Sequence, residues 1–131
     1  MTCSASSKYS EDWACEKAID GKVSTSWATK GQGTGAWIQV NFGNIYKVKK
    51  IKIKHRTNNA QAEMFKDVSL EFSDGTKFDY KLNNVHHDWN EVILDNPPIS
   101  DLVKVEAKTV YGTVNNGFSE IRIFGCLKGS P

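Results

Sequence analysis

The chain has 131 residues and a formal net charge of +2, which leaves room for one domain with a closed core of its own. Hydrophobic residues make up 39% and charged residues 24%, the balance of a soluble globular protein, and so small an excess of charge argues against a nucleic-acid partner. No run approaches eighteen consecutive apolar residues, so no transmembrane helix is expected. The first residues lack the basic and apolar regions of a signal peptide, so a secreted protein would be met here as its mature form or as an excised domain, with Met1 added for expression.

Helical periodicity is nearly absent along the chain. Residues 12–19 are long enough for one short helical turn, which Asp20-Gly21 ends. Strand patterns dominate from there on. Residues 36–42 (AWIQVNF) set Trp37, Gln39 and Asn41 against Ile38, Val40 and Phe42, and Gly43 closes the run. Residues 50–55 (KIKIKH) alternate Ile51 and Ile53 with lysines, a half-buried strand with a solvated face. In residues 67–72, Val68, Leu70 and Phe72 share one side. Ser73-Asp74-Gly75-Thr76 then reads as a hairpin turn into residues 77–82, where Phe78, Tyr80 and Leu82 alternate. Residues 89–94, 102–107 and 120–126 complete seven or eight strands, with Pro97-Pro98 breaking the chain between two of them. The polar segments 28–35, 56–65, 85–88 and 110–118 are the long loops. This pattern predicts one all-β domain over residues 1–131, an antiparallel sandwich or barrel with recognition on its loops.

Three cysteines stand at positions 3, 15 and 126. A Cys3–Cys126 bridge would close nearly the whole chain and contribute roughly 4–5 kcal/mol through loop entropy. Spacing does not fix the pairing, and three reduced thiols are the alternative.

Several motifs recur in a familiar order: Ala18-Ile19-Asp20-Gly21, Thr25-Ser26-Trp27, residues 37–43 (WIQVNFG), residues 68–75 (VSLEFSDG) and residues 119–126 (SEIRIFGC). Together they resemble the discoidin domain, also called the coagulation factor five/eight C-type domain, in the superfamily that holds the family 32 carbohydrate-binding modules. The resemblance spans residues 3–126. It implies an eight-stranded jelly-roll barrel with galactose-binding-domain topology and a Cys3–Cys126 disulfide, with Cys15 outside the usual pattern. Asn41 stands where the family commonly has Asp.

Two sites follow from the resemblance. Relatives commonly hold a structural calcium ion, and the matching ligands here are Asp20, Thr25 and Glu120, with backbone carbonyls near Ala18, Lys22 and Ser119. Hard oxygen donors of this kind suit calcium. Ligands of relatives dock on loops at one end of the barrel, here 9–13, 55–61, 86–89 and 111–118. The candidate sugar ligands are His55 and Arg56 with Asn58, Asn59, Asn115 and Asn116, whose guanidinium and amides suit hydroxyl groups. Trp13, Tyr111 or Phe118 would supply an apolar face.

The expected function is therefore non-catalytic extracellular recognition of galactose-like glycans or glycoproteins, in adhesion or pattern recognition. The alternative is docking to a cell-surface protein or phospholipid, through Trp13 and Trp89, but acids flank both tryptophans. The lysines at 47, 49, 50, 52 and 54 read as the solvated side of a sheet rather than a heparin or nucleic-acid patch. Catalysis is not expected: His86 and His87 would point to opposite faces of a strand, and no nucleophile elbow or phosphate loop is present.

Overall fold

A computed structural model describes residues 1–56, 63–85 and 88–128. Eight strands follow in chain order: β1 (Thr2–Ala5), β2 (Trp27–Ala28), β3 (Trp37–His55), β4 (Asp67–Phe72), β5 (Lys77–Lys81), β6 (Trp89–Ile93), β7 (Ile99–Ala107) and β8 (Gly117–Leu127). The short helical stretch takes the form of two 3-10 turns, Glu11–Trp13 and Cys15–Ala18. Every strand pairing is antiparallel.

The two runs expected as separate strands, 36–42 and 50–55, are the halves of one strand of 19 residues, β3. Its first half lies between β1 and β7, pairing Ile38 with Ala5 and Val105. Its second half lies between β8 and β6, pairing Ile53 with Ile121 and Asn90. Gly43 does not end the strand. It takes φ +84°, a left-handed conformation in which a side chain would be strained, and the β7 register shifts between Asn41 and Tyr46. The strand therefore bends at this irregularity and serves two layers, β1-β3-β7-β4-β5 and β2-β8-β3-β6.

Alternation on both halves of β3 points Ile38, Val40 and Phe42, then Ile51, Ile53 and His55, into the space between the layers. Val68, Leu70, Phe72, Val103, Val105 and Ile121 fill it from the other strands. Near the ends of β3 the core is aromatic. Phe118 lies 5.1 Å from Phe65 and 5.8 Å from Trp27, centroid to centroid, and all three rings are buried. Met64 and Phe65, from the segment read as a polar loop, are both buried. Gly117 is required for this packing: a Cβ there would sit 1.8 Å from the Trp27 carbonyl oxygen, so the β2–β8 approach excludes any side chain.

The hairpin turn forms as expected. The Asp74 carboxylate accepts the Thr76 N–H at 3.0 Å and the Ile99 N–H at 3.0 Å, and the Thr76 bond is the main cause of a lowered Asp74 pKa.

The disulfide differs from expectation. Cys3 is bonded to Cys15, not to Cys126, with 6.1 Å between Cα atoms, and Cys126 is a free, half-buried thiol. The bend in β3 explains the change. Cys3 pairs opposite Val40 and Cys126 opposite Lys47, so the two residues flank different halves of the strand on either side of the irregularity. The Cys15–Ala18 turn packs against both β1 and β8, and there Cys15 meets Cys3. A tryptic map of the non-reduced, alkylated protein should therefore join residues 1–8 to residues 9–17 and show alkylated Cys126 in residues 123–128. A 1–8 to 123–128 cross-link would overturn this assignment.

Candidate functional site

The bend in β3 brings its first and last residues to the same end of the sandwich. The Ala107 N–H donates to the Ala36 carbonyl beside the start of β3, while His55 at its end pairs with Phe118 at the start of β8. The loops before β3 and before β8 meet here. Gly31 N–H donates to Asn115 Oδ1 at 2.9 Å, and Thr29 donates to the Asn116 carbonyl from both its N–H and its hydroxyl, each at 2.9 Å. Asn116 is fully buried and holds its own loop closed, donating to the Gly112 carbonyl at 2.8 Å and accepting from the Val114 N–H at 3.1 Å. These amides act first on the loops themselves.

Arg56 is the centre of this end. It is only 6% exposed, and its Nη1 lies 2.7 Å from Glu63 Oε2 and donates to the Asn115 carbonyl at 2.8 Å. The guanidinium carbon stands 4.7 Å from the centroid of the Trp13 ring. Glu63 is 4% exposed, so this is a buried ion pair. Such pairs cost desolvation that their attraction only partly offsets, which makes them poor stabilisers but firm positioning devices. The Arg56 Nε–H has no partner among the described residues.

The remaining candidates divide. His55 is fully buried, its Nε2 2.7 Å from the Asn83 carbonyl oxygen and its ring 6.4 Å from Phe118. Phe118 is 1% exposed within the aromatic cluster. Neither can meet a ligand at the surface, so both are core residues rather than ligand contacts. Tyr111 is half-buried and donates its hydroxyl to the Leu82 carbonyl at 2.8 Å. It faces a neighbouring groove of about 510 Å3, lined also by Tyr80, Asn83, Asn84, Trp89 and Asn90. Asn58 and Asn59 lie outside the described residues, as does His86. Glu63 escaped the sequence reading: an acid seven positions after Arg56 in a polar loop has no periodicity to mark it as buried.

The second set of candidates lies where Asp20 follows the Cys15–Ala18 turn. Asp20 Oδ1 accepts the Lys22 N–H at 2.9 Å, and Oδ2 accepts the Thr25 hydroxyl. The Thr25 hydroxyl also lies 3.3 Å from the Lys22 carbonyl oxygen and 3.4 Å from that of Lys17. Glu120 is 1% exposed, and neither carboxylate oxygen has a hydrogen-bond partner among the described residues. Burial pushes its pKa up to about 7, the Asp20 charge adds to the rise, and the Arg122 guanidinium, 3.8 Å away, opposes it. The Gly21 and Ile121 N–H groups also act to lower it, and a buried carboxylate short of well-formed hydrogen bonds and facing a second carboxylate is an arrangement that a cation would satisfy. The donor set of Asp20, Thr25, Glu120 and nearby carbonyls is all oxygen, which fits calcium.

With this geometry in place, residues 2–122 match the model of the F5/8 type C domain. The chain belongs to this family. No curated protein matches it in sequence. Solved structures share its fold. The family 32 carbohydrate-binding module of Clostridium perfringens NanJ, in complex with galactose, is 23% identical at a TM-score of 0.79, over 93% of this chain and 91% of that one. The lectin domain of lectinolysin, complexed with Lewis B antigen, is 24% identical at 0.71, over 94% and 91%. A family 89 glycoside hydrolase of C. perfringens, in complex with GlcNAc-alpha-1,4-galactose, is 25% identical at 0.77, over 98% of this chain but only 14% of the hydrolase. The F5/8 type C domain is a non-catalytic module that sits in such hydrolases as a separate domain.

Two predictions follow from the charges. Glu63→Ala leaves Arg56 buried without its counter-ion and should cost about 3–5 kcal/mol, read as the shift in urea midpoint. Arg56→Ala should cost a similar amount, so loss of binding in that variant counts only after its folding is checked. For Glu120 the folded-state pKa of about 7 lies above the ordinary 4.5. The folded chain then holds a proton that the unfolded chain has released, and stability falls as pH rises across that window. In chelator, the melting temperature of the native protein should drop from pH 5 to 7.5 more steeply than that of Glu120→Gln. Parallel profiles would refute the shift.

Proposed function

We propose that the chain is an extracellular glycan-recognition module for galactose-like sugars, serving adhesion or pattern recognition and carrying no catalysis. The observation that carries this reading is Arg56. Its guanidinium is held by Glu63, Asn115 and Trp13 at the end of the sandwich where the loops gather, and its Nε–H has no partner among the described residues. A fixed fork of donors beside a half-exposed indole matches what a pyranose offers, hydroxyls on its rim and C–H groups on its face. Trp13 provides the apolar surface, and Asn58 and Asn59, next to Arg56 in sequence, supply further donors and acceptors. The galactose and Lewis B complexes of its structural relatives support the same ligand class.

Calcium at Asp20, Thr25 and Glu120, with carbonyls of the Ala18, Lys22 and Ser119 backbone, is part of the proposal. The ion would neutralise Glu120 and brace the 20–25 loop without touching the sugar. A single sugar site binds weakly, so useful avidity calls for repetition of the module.

The test is a glycan array probed with an Fc-multimerised form, with and without chelator. The expected result is binding to a coherent galactose-containing class. Trp13→Ala should lose it by about fivefold or more, the loss of a stacking face worth about 1 kcal/mol or more, at an unchanged fold. Chelation should weaken binding and lower the melting temperature at pH 7.5. A blank array from folded protein overturns the glycan reading and leaves protein or phospholipid docking.

A further inference from the structure

The outer face of the β8-β3-β6 strip is a compact grid. Lys50, Lys52 and Lys54 of β3 alternate with buried Ile51, Ile53 and His55, so they point away from the core. The register sets Phe124, Arg122 and Glu120 of β8 on one side of them and Ile93, Glu91 and Trp89 of β6 on the other. Lysines on a solvated strand ordinarily spread their ends into water. Here they converge: Lys52 Nζ lies 4.8 Å from the centroid of the Trp89 ring, Lys54 Nζ 5.4 Å, and the Arg122 guanidinium carbon 4.8 Å. Lys50 Nζ stands 4.8 Å from the Phe124 ring.

The counter-charges fall short. Glu91 lies 3.2 Å from Lys50, and Glu120 is buried with its Oε2 3.8 Å from Arg122. Lys52 and Lys54 have no acidic partner within ion-pair distance among the described residues. Exposed Lys47 and Lys49 extend the row along the same strand, which runs roughly 23 Å from Lys47 to Lys54 at about 3.3 Å per residue. Three cations drawn to one indole repel one another, and attraction to the ring offsets that only in part. A fixed anion above the ring would complete the cluster.

We propose that this face is a second binding surface, separate from the loop end, for a sulfated polysaccharide lying along β3 with its sulfates against Lys52, Lys54 and Arg122. A linear chain of fixed charges suits a row of cations along one strand. The cations occupy the face of Trp89, which leaves no open ring for the base stacking that single-stranded nucleic acid uses. Among the described residues the helical elements are the short Glu11–Trp13 and Cys15–Ala18 turns, and neither is long enough to lie in a duplex groove. The proposal does not rest on the loop-end sugar site.

The experiment uses the full chain with heparin as the probe, by affinity chromatography and calorimetry. The protein should be retained at low salt, elute with salt but not with galactose, and pass through a column of desulfated heparin. The log–log dependence of affinity on salt should have a slope of about −2 or steeper, each neutralised charge releasing counterions. Lys52→Gln/Lys54→Gln should lose about tenfold in affinity at low salt, Lys52→Arg/Lys54→Arg should retain it, and Lys77→Gln/Lys104→Gln, on β5 and β7 of the other layer, should bind as the native chain does. Melting temperatures establish that each variant is folded. Absence of retention, equal binding of desulfated heparin, or native affinity in the double Gln variant would each overturn the proposal. Displacement of heparin by single-stranded DNA at equal charge would also overturn it, in favour of a surface for any polyanion.

Discussion

A single strand serving both layers sets the geometry of this domain. Because β3 bends at Gly43 rather than stopping, its two halves present Ile38, Val40 and Phe42 and then Ile51, Ile53 and His55 to one shared core. The same bend returns the strand to the end from which it started. Arg56 and Asn116 come together at that end. The layers on either side, β7 and β4 in one and β8 and β6 in the other, take their register from β3 or from a strand paired to it.

The described part of the loop end is anchored in the core. Trp27, Phe65 and Phe118 pack beneath it, His55 lies alongside, and Asn116 locks the loop above. On that base the buried Arg56–Glu63 pair costs desolvation and returns orientation. A recognition site gains from this exchange, since a donor already held in place loses little freedom when a weakly binding ligand arrives. Beside Asp20 a similar cost appears, since burial and the Asp20 charge both resist charging of Glu120, and Arg122 opposes them only in part.

The strands were legible in the sequence because a half-buried sheet writes its period of two directly into the residues, as in the 50–55 and 67–72 runs. The parity of that pattern also held the correction for His55, which shares its face with Ile51 and Ile53 and so belongs inside. Phe118 offered no such clue, because the register of β8 slips between Lys54 and His55 and the alternation is lost there. Gly43 misled because a glycine ends strands more often than it bends one, and only the partners on both flanks reveal the difference. The cysteine pairing depends on which half of β3 each strand joins, a fact of topology with no local signature. The convergence of cations on Trp89 is likewise a product of nearness in space between residues far apart in the chain. The motif order, by contrast, carried the family, because several weak signals in sequence reinforce one another.

The local Cys3–Cys15 bond has a mechanical side. Thr2 pairs with Asn41 and Leu127 with Tyr46, so both outermost strands begin or finish near the bend, at the pole away from the loops. Tension applied at the two ends would peel β1 and β8 from β3 one rung at a time, instead of shearing all rungs together. Along β1 the peeling halts at Cys3, where load passes through the sulfur bridge into the Cys15–Ala18 turn. No such stop exists on β8, whose thiol at position 126 is bonded to nothing. Under load the C-terminal strand therefore opens first, and the row of β3 cations loses its Arg122 and Phe124 neighbours while the Trp13–Arg56 end is still intact.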